Sequence, residues 1–156
     1  MSNAPALAYQ NTAKQYVRHH LWTKISRVGL LNLELEIPSG EIFGLLGLNG
    51  AGKTTAMKLA MGLLFPSHGS VEIFGLKAGT KEAKRLCGYM PELPYIYSYL
   101  TPEQALLFYG RLSALDGEEL RERVRLVIRR VGLEKAASEK LSGFSKGMLQ
   151  RVAIGQ

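Results

Sequence analysis

The chain has 156 residues, of which 46% are hydrophobic and 21% charged, and its formal net charge is +7. This composition is ordinary for a folded domain and excludes a disordered tail. No run of 18 apolar residues occurs, and the single Cys87 excludes an internal disulfide. We therefore expect a cytoplasmic protein without a membrane-spanning helix.

Two strand patterns precede a cluster of glycines. Apolar and acidic residues alternate from Leu31 to Ile37, which predicts a half-buried strand that ends in a turn at Pro38 to Gly40. The short apolar run from Glu41 to Leu46, "EIFGLL", predicts a strand that is buried on both faces. After the glycines, a helix is expected from about Lys53 to Leu64.

The glycine cluster "GLNGAGKTT", residues 47–55, has the spacing of a phosphate-binding loop. In such a loop the backbone N–H groups surround phosphate oxygens, the lysine reaches the β and γ phosphates, and the hydroxyl after it binds Mg²⁺. The helix that follows adds its positive N-terminal end. The sequence therefore predicts a nucleotide with Mg²⁺, held by Gly47, Asn49, Gly50, Ala51, Gly52, Lys53, Thr54 and Thr55.

Strand and helix patterns continue to alternate beyond the loop. "SVEIFG" predicts another strand, and the run from Arg85 to Met90 is a weaker strand candidate. A helix is predicted to open at Thr101, because Pro102 occupies its first position and Gln104 completes a capping box. This alternation predicts an α/β fold.

The positive charge does not by itself indicate a nucleic acid partner. Five arginines lie between Arg121 and Arg130, in a segment whose apolar residues recur at helical spacing. The pattern predicts an amphipathic helix with its arginines on the solvated face. No aromatic residue interleaves with them to stack on bases, so we expect no direct nucleic acid partner.

The segment "GEIFGLLGLNGAGKTTAMKLAMGLLFPSHGSVEIFG" resembles the nucleotide-binding subunits of ABC transporters, in which the phosphate-binding loop is called Walker A. The resemblance covers about Tyr9 to Gln156. It implies a P-loop NTPase of the ABC ATPase type, with an antiparallel β edge and a helical signature subdomain. It also implies ATP and Mg²⁺ as ligands, and as partners a transmembrane permease subunit and a second ATPase subunit, identical or related.

The resemblance also implies a signature motif, for which two registers compete. One begins at Leu141 ("LSGFS") and the other at Phe144 ("FSKGM"). Only the second places Gln150 and Arg151 where the family has Gln-Arg, and it is similar to the "Y-S-K-G-M" of ABC-2 type exporters. Independently of the family, Ser145 is predicted to cap a helix. The resemblance implies that three signature residues contact ATP held by the opposite subunit: Ser145, Lys146 and Gly147.

Further site residues follow from the same resemblance. Tyr16 and Trp22 are candidates for stacking on adenine, and the family's "L-x-K-x-Y" opening favours Tyr16. Glu92 stands where the family usually has a glutamine that reaches Mg²⁺, which implies that Glu92 and Thr54 are metal ligands; an exposed loop glutamate is the alternative. Three alternating tyrosines after Glu92 are interpreted either as contacts for the permease or as buried packing: Tyr95, Tyr97 and Tyr99.

In the family a Walker B strand ending in Asp-Glu and a switch histidine follow the signature helix, whereas no acidic residue follows Ser145 here. The resemblance therefore implies an incomplete nucleotide-binding domain. Residues of about 1–90 and the sequence beyond 156 would form its core, and about 91–155 its helical and signature region. We expect an ATPase as the intact subunit, peripheral on the inner face of the cell membrane, with no catalytic residue and no hydrolysis in the 156 residues alone. Two alternatives stay open: a soluble ABC ATPase acting on ribosomes or DNA, and a nucleotide-binding module without catalysis.

Overall fold

The computed structural model of the protein describes residues 4–20, 23–92 and 94–156. The chain divides into two units, residues 1–89 and residues 90–156. The first unit contains β1 (Leu7–His20), β2 (Thr23–Ile37), α1 (Lys53–Ala60), β3 (His68–Ile73), β4 (Leu76–Lys77) and α2 (Lys81–Arg85). The second unit contains α3 (Pro102–Leu112), α4 (Gly117–Arg130) and α5 (Lys146–Gly155), with short 3₁₀ turns at Glu134–Ala136 and Leu141–Gly143.

The strands of the first unit form one antiparallel sheet in the order β2-β1-β3-β4. Its largest part is the long hairpin of β1 and β2, in which Tyr16 pairs with Arg27 and Lys14 pairs with Leu30. The register shifts between these two pairs, so that Gly29 lies in a bulge. A bulge kinks the strand locally and redirects nearby side chains.

Helix α1 packs on this sheet through its small and apolar face. Ala56, Leu59 and Ala60 are buried together with Tyr9 of β1 and Val71 of β3. The Tyr9 hydroxyl donates to the Ala56 carbonyl at 2.9 Å, which fixes the first turns of α1 to the sheet. The helix that begins at the glycine loop is therefore held at a set position on the strands.

Two predicted strands are absent from the structure. Residues 41–46 have no regular secondary structure, Ile42 is fully exposed and Leu46 is 92% exposed. In the segment from Arg85 to Met90, Arg85 ends α2 and residues 87–90 are irregular. Both predictions were wrong for the same reason: an apolar run becomes a buried strand only beside hydrogen-bonding neighbours, and no described strand pairs with either run.

The helix predicted to reach Leu64 is also shorter. It ends at Ala60, and the chain leaves it through Gly62, whose φ of 62° lies in the left-handed region that ends many helices. A Cβ at this position would also collide with the backbone of Gly79. Both the positive φ and this close approach therefore require glycine. The strand predicted from "SVEIFG" is confirmed as part of β3.

The second unit is a helical cluster, and its main sequence signals are confirmed. Helix α3 begins with the complete capping box of Thr101 and Gln104. Helix α4 buries Leu120, Val124 and Ile128 and exposes its arginines, three of which form ion pairs with Glu118 or Glu119. No helix within the described residues is long and apolar enough to cross a membrane.

Candidate functional site

Glycines of the loop adopt backbone conformations that favour glycine. Gly50 and Gly52 have φ values of 87° and 94°, and Gly47 has a φ of 157°. The first two values lie in the left-handed region, where a side chain would strain the backbone. A Cβ on Gly52 would also lie only 2.7 Å from the Gly29 carbonyl oxygen. The loop is therefore bent back on itself and packed closely against the bulge of β2.

The side chain of Lys53 is hydrogen-bonded to the backbone of the loop. Its Nζ donates to the carbonyls of Gly47 at 2.6 Å and Leu48 at 2.8 Å. The ammonium group is therefore held against the backbone of the loop. A cation at this point offsets the negative charge of any anion that the loop amides bind.

Helix α1 begins directly at the loop, and its first N–H groups remain available. Gly52 is the N-cap and supplies no side-chain hydrogen bond, so the amides of the first turn lack a side-chain acceptor. Uncapped N–H groups and the helix dipole together make such an end an anion site. The chemistry of this end of the helix therefore suits phosphate.

The same turn fits a magnesium ion bound together with phosphates. Thr54 is exposed and offers a hydroxyl oxygen, a donor type that Mg²⁺ accepts. Among the described residues, no group of three histidine, cysteine, aspartate or glutamate side chains is arranged to hold a metal. Since Mg²⁺ usually keeps few protein ligands and uses substrate phosphates, one hydroxyl at this position is compatible with it.

Tyr16 lies beside the first turn of α1. Its hydroxyl is 3.2 Å from the Thr55 hydroxyl, and Lys14 Nζ lies 5.8 Å from its ring centroid. Its ring packs against Gly29, where any Cβ would collide with it. Tyr16 and the glycine loop are thus brought together by the hairpin, whereas Trp22, the other candidate for stacking on adenine, lies outside the described residues.

The signature residues begin α5 in the second unit. Ser145 is the N-cap and accepts from the Met148 N–H at 3.3 Å, which confirms the predicted cap. Lys146 and Gly147 follow it and are exposed. Leu141, the start of the rejected register, is instead buried in the core of this unit at 1% exposure.

Glu92 lies near the signature in the same unit. Its Oε1 is 3.5 Å from Lys146 Nζ, and both side chains are more than half exposed. Such a solvated pair contributes little to stability, about 0–1 kcal/mol. The two charged groups are therefore close together, but their side chains are not held in a fixed position by this contact.

The three tyrosines after Glu92 are exposed, which excludes the buried-packing alternative. Tyr95 is 93% exposed, and Tyr97 stacks obliquely on Tyr99 and edge-on against Phe108 of α3. Ile96 between them packs on the core, which holds the loop in place. We call Tyr95, Tyr97, Tyr99 and Phe108 the aromatic patch.

A model of the family described as "ABC transporter" matches residues 30–156. The chain belongs to the ABC transporter family. The resemblance inferred from the Walker A loop and the signature is therefore confirmed at the level of the family, and so is the ABC ATPase fold class.

Curated relatives of this ABC transporter chain are about twice its length. It is 37% identical over 150 residues to the uncharacterized ABC transporter ATP-binding protein YxlF of Bacillus subtilis, covering 96% of this chain and 47% of YxlF. It is 37% identical over 147 residues to the bacitracin transport ATP-binding protein BcrA of Enterococcus faecalis, covering 93% of this chain and 44% of BcrA. The chain thus spans about half the length of these relatives.

A solved structure supports the same fold. The dimeric structure of a post-hydrolysis state of the ATP-binding cassette MJ0796 bound to ADP and Pi is 26% identical, with a TM-score of 0.75. The likeness covers 96% of this chain and 67% of that one. This ABC transporter chain therefore has the fold of an ABC ATPase nucleotide-binding domain.

Gly29, which was not among the predicted site residues, shapes the site without contributing a side chain. Its backbone lies between the Tyr16 ring and Gly52, and neither close approach leaves room for a Cβ. The available signal was a glycine within an otherwise continuous strand pattern, which often marks a bulge or a close backbone approach.

Proposed function

We propose that the chain is the ATP-binding part of an ATPase subunit that powers an ABC exporter through a separate membrane subunit. The observation that carries the proposal is the glycine loop, in which Lys53 Nζ is bonded to the carbonyls of Gly47 and Leu48 directly before an uncapped helix. The family membership supports ATP as the nucleotide.

In this proposal the loop residues and Lys53 hold the triphosphate. The amides of residues 47–55 donate to phosphate oxygens, and Lys53 exchanges its two carbonyl acceptors for the β and γ phosphates. Mg²⁺, when bound, neutralises phosphate charge, and Thr54 is the residue of this unit that would hold it. Tyr16 lies on the hairpin beside Thr55 and stacks on adenine.

The signature residues act on a second nucleotide in this proposal. Ser145, Lys146 and Gly147 lie at the exposed N-terminal end of α5 and bind the γ-phosphate held by a partner ATPase subunit. The dimeric form of the similar solved structure supports such pairing. Glu92 is proposed as a Mg²⁺ ligand, and its carboxylate lies 3.5 Å from Lys146 Nζ in the same unit.

The aromatic patch is proposed to contact the membrane subunit. Exposed aromatic side chains are enriched at protein interfaces, and relatives are named as ABC transporter ATP-binding proteins. The loop that carries the patch is hydrogen-bonded to the segment before the signature, from the Ser142 N–H to the Ser98 carbonyl at 2.8 Å and from the Leu141 N–H to the Leu100 carbonyl at 2.9 Å. In the intact transporter, Tyr97→Ser is expected to lower ATP-driven transport while the affinity for ATP stays unchanged.

The hydrolytic step is proposed for the intact subunit, at the inner face of the membrane. Within the described residues, no carboxylate lies at the end of a buried strand beside the glycine loop, where a water-orienting group would be needed. The 156-residue chain is accordingly expected to bind MgATP and to show no turnover above background.

Equilibrium binding of a fluorescent ATP analogue with Mg²⁺ tests the proposal. Lys53→Ala should weaken binding by about tenfold or more, because charge-assisted hydrogen bonds to phosphate contribute about 1.5–3 kcal/mol. Lys58→Ala is the matched control, since Lys58 is an exposed lysine on the same helix with its side chain outside the loop. Equal affinity of the two variants, with unchanged circular dichroism, would remove the glycine loop from nucleotide binding.

A further inference from the structure

Tyr16 is surrounded by basic residues on one face of the β1–β2 hairpin. In an antiparallel pair, directly opposed residues lie on the same face, and residues two apart on one strand share that face. Tyr16 pairs with Arg27, and Arg18 pairs with Ile25. Lys14, Arg18 and Arg27 therefore lie on the same face as Tyr16.

This face is directed towards the glycine loop. The Tyr16 hydroxyl lies 3.2 Å from the Thr55 hydroxyl in the first turn of α1. The Gly29 carbonyl, two residues after Arg27, lies against Gly52 of the loop. Arg27 is thus next to both the aromatic ring and the strand segment that contacts the loop.

Of these basic residues, Lys14 is already bonded. Its Nζ donates to the Phe65 carbonyl at 2.7 Å, which gives it a structural role between β1 and the segment before β3. Arg27 is exposed and has neither an ion pair nor a side-chain hydrogen bond within the part of the chain that the structure describes. Its five N–H donors are therefore available to a ligand.

We propose that Arg27 binds the base of the nucleotide beside Tyr16 and sets the base preference of the site. Opposed residues of an antiparallel pair have Cβ atoms about 5 Å apart, so the guanidinium group reaches the edge of a base stacked on Tyr16. The inference rests on the proposed nucleotide site, and it concerns base recognition, which the glycine loop does not provide.

The hydrogen-bond donors of arginine determine for which base Arg27 adds most to the binding affinity. Guanine offers two acceptors, O6 and N7, to one guanidinium, whereas adenine offers N7 next to an amino group that is itself a donor. Arg27 therefore contributes more to binding of GTP than of ATP. A glutamine in its place matches adenine, since its amide accepts from N6 and donates to N7.

The test compares MgATP and MgGTP binding for the 156-residue chain and four variants, one of which is the Lys53→Ala of the proposed function. Arg27→Gln should weaken GTP by about tenfold and ATP by less than about threefold, as expected when one bidentate base contact is lost. Arg27→Lys, which keeps the charge but not the planar pair of donors, should also lower the GTP-to-ATP affinity ratio. Lys77→Gln is the matched control, because Lys77 is exposed on β4 at the opposite edge of the sheet.

The outcomes separate this inference from the proposed function. A GTP-to-ATP affinity ratio that is unchanged in Arg27→Gln, while Lys53→Ala abolishes binding of both nucleotides, would overturn the role of Arg27 and leave the nucleotide site intact. An equal loss for both nucleotides that Arg27→Lys restores would also overturn it, since charge alone would then account for the effect. If Lys53→Ala changed the affinity for neither MgATP nor MgGTP, the proposed nucleotide site itself would be refuted.

Discussion

Tyr9→Phe tests how α1 is held on the sheet, because the Tyr9 hydroxyl donates to the Ala56 carbonyl at 2.9 Å and the residue is only 3% exposed. At neutral pH the variant should lower the free energy of unfolding by about 1 kcal/mol, the net value of one buried hydrogen bond. The packing of the ring is preserved, so no larger loss is expected.

The difference in the free energy of unfolding between wild type and Tyr9→Phe should change sign as the pH rises. Burial raises the pKa of Tyr9 from 10.0 to about 12, because the phenolate would have to form away from water. The stabilisation is therefore complete below pH 10 and is lost as the pH rises towards 12, by up to about 2.7 kcal/mol for two pKa units. Phenylalanine does not titrate. Tyr9→Phe should therefore be more stable than the wild type above about pH 11.

Urea unfolding followed by circular dichroism between pH 8 and pH 11.5 measures this difference. Tyr95→Phe is the matched control, since Tyr95 is exposed and should give no difference at any pH. A difference between wild type and Tyr9→Phe that stays constant over this range would refute the buried hydroxyl and its hydrogen bond to α1.

Three further predictions concern the second unit. Leu141→Ala should cost about 2–5 kcal/mol in urea unfolding, because this leucine is 1% exposed in the core, and a loss below 1 kcal/mol would contradict that packing. Thr101→Ala should cost about 1 kcal/mol in thermal unfolding through loss of the α3 capping box, and an unchanged melting temperature would count against the cap. Glu92→Gln should change unfolding of the chain by less than about 1 kcal/mol, because the pair with Lys146 is solvated. In the intact subunit the same change should alter the Mg²⁺ dependence of turnover more than nucleotide affinity, and superimposable Mg²⁺ curves would favour a plain exposed-loop glutamate.

Features set by local chemistry were predictable from the sequence. The capping box of α3, the amphipathic α4 and the Ser145 cap each depend on residues within about one or two turns, and all three are present. The fold class was predictable as well, because the spacing of the Walker A and signature motifs is specific to the family.

Features set by distant partners were not predictable in this way. The run from Glu41 to Leu46 has the composition of a buried strand, but a strand forms only when neighbouring strands satisfy its backbone, and none does within the described residues. Phe43 and Leu45 of this run instead line an apolar cavity of about 460 Å³ in the first unit. The glycine at position 29 is a local signal for a bulge, but the register that places the bulge opposite Lys14 and Gln15 depends on the pairing between β1 and β2.

The central claim is that the glycine loop of this chain binds the phosphates of ATP. A titration of the ¹⁵N-labelled 156-residue chain with MgATP, followed by amide NMR shifts, tests it most directly, because loop amides that donate to phosphate report their own positions. The account predicts that the largest shifts fall within residues 47–55, with a smaller group around Tyr16, and that Lys53→Ala removes both. Shifts centred elsewhere in the chain, or saturable shifts that persist in Lys53→Ala, would contradict it.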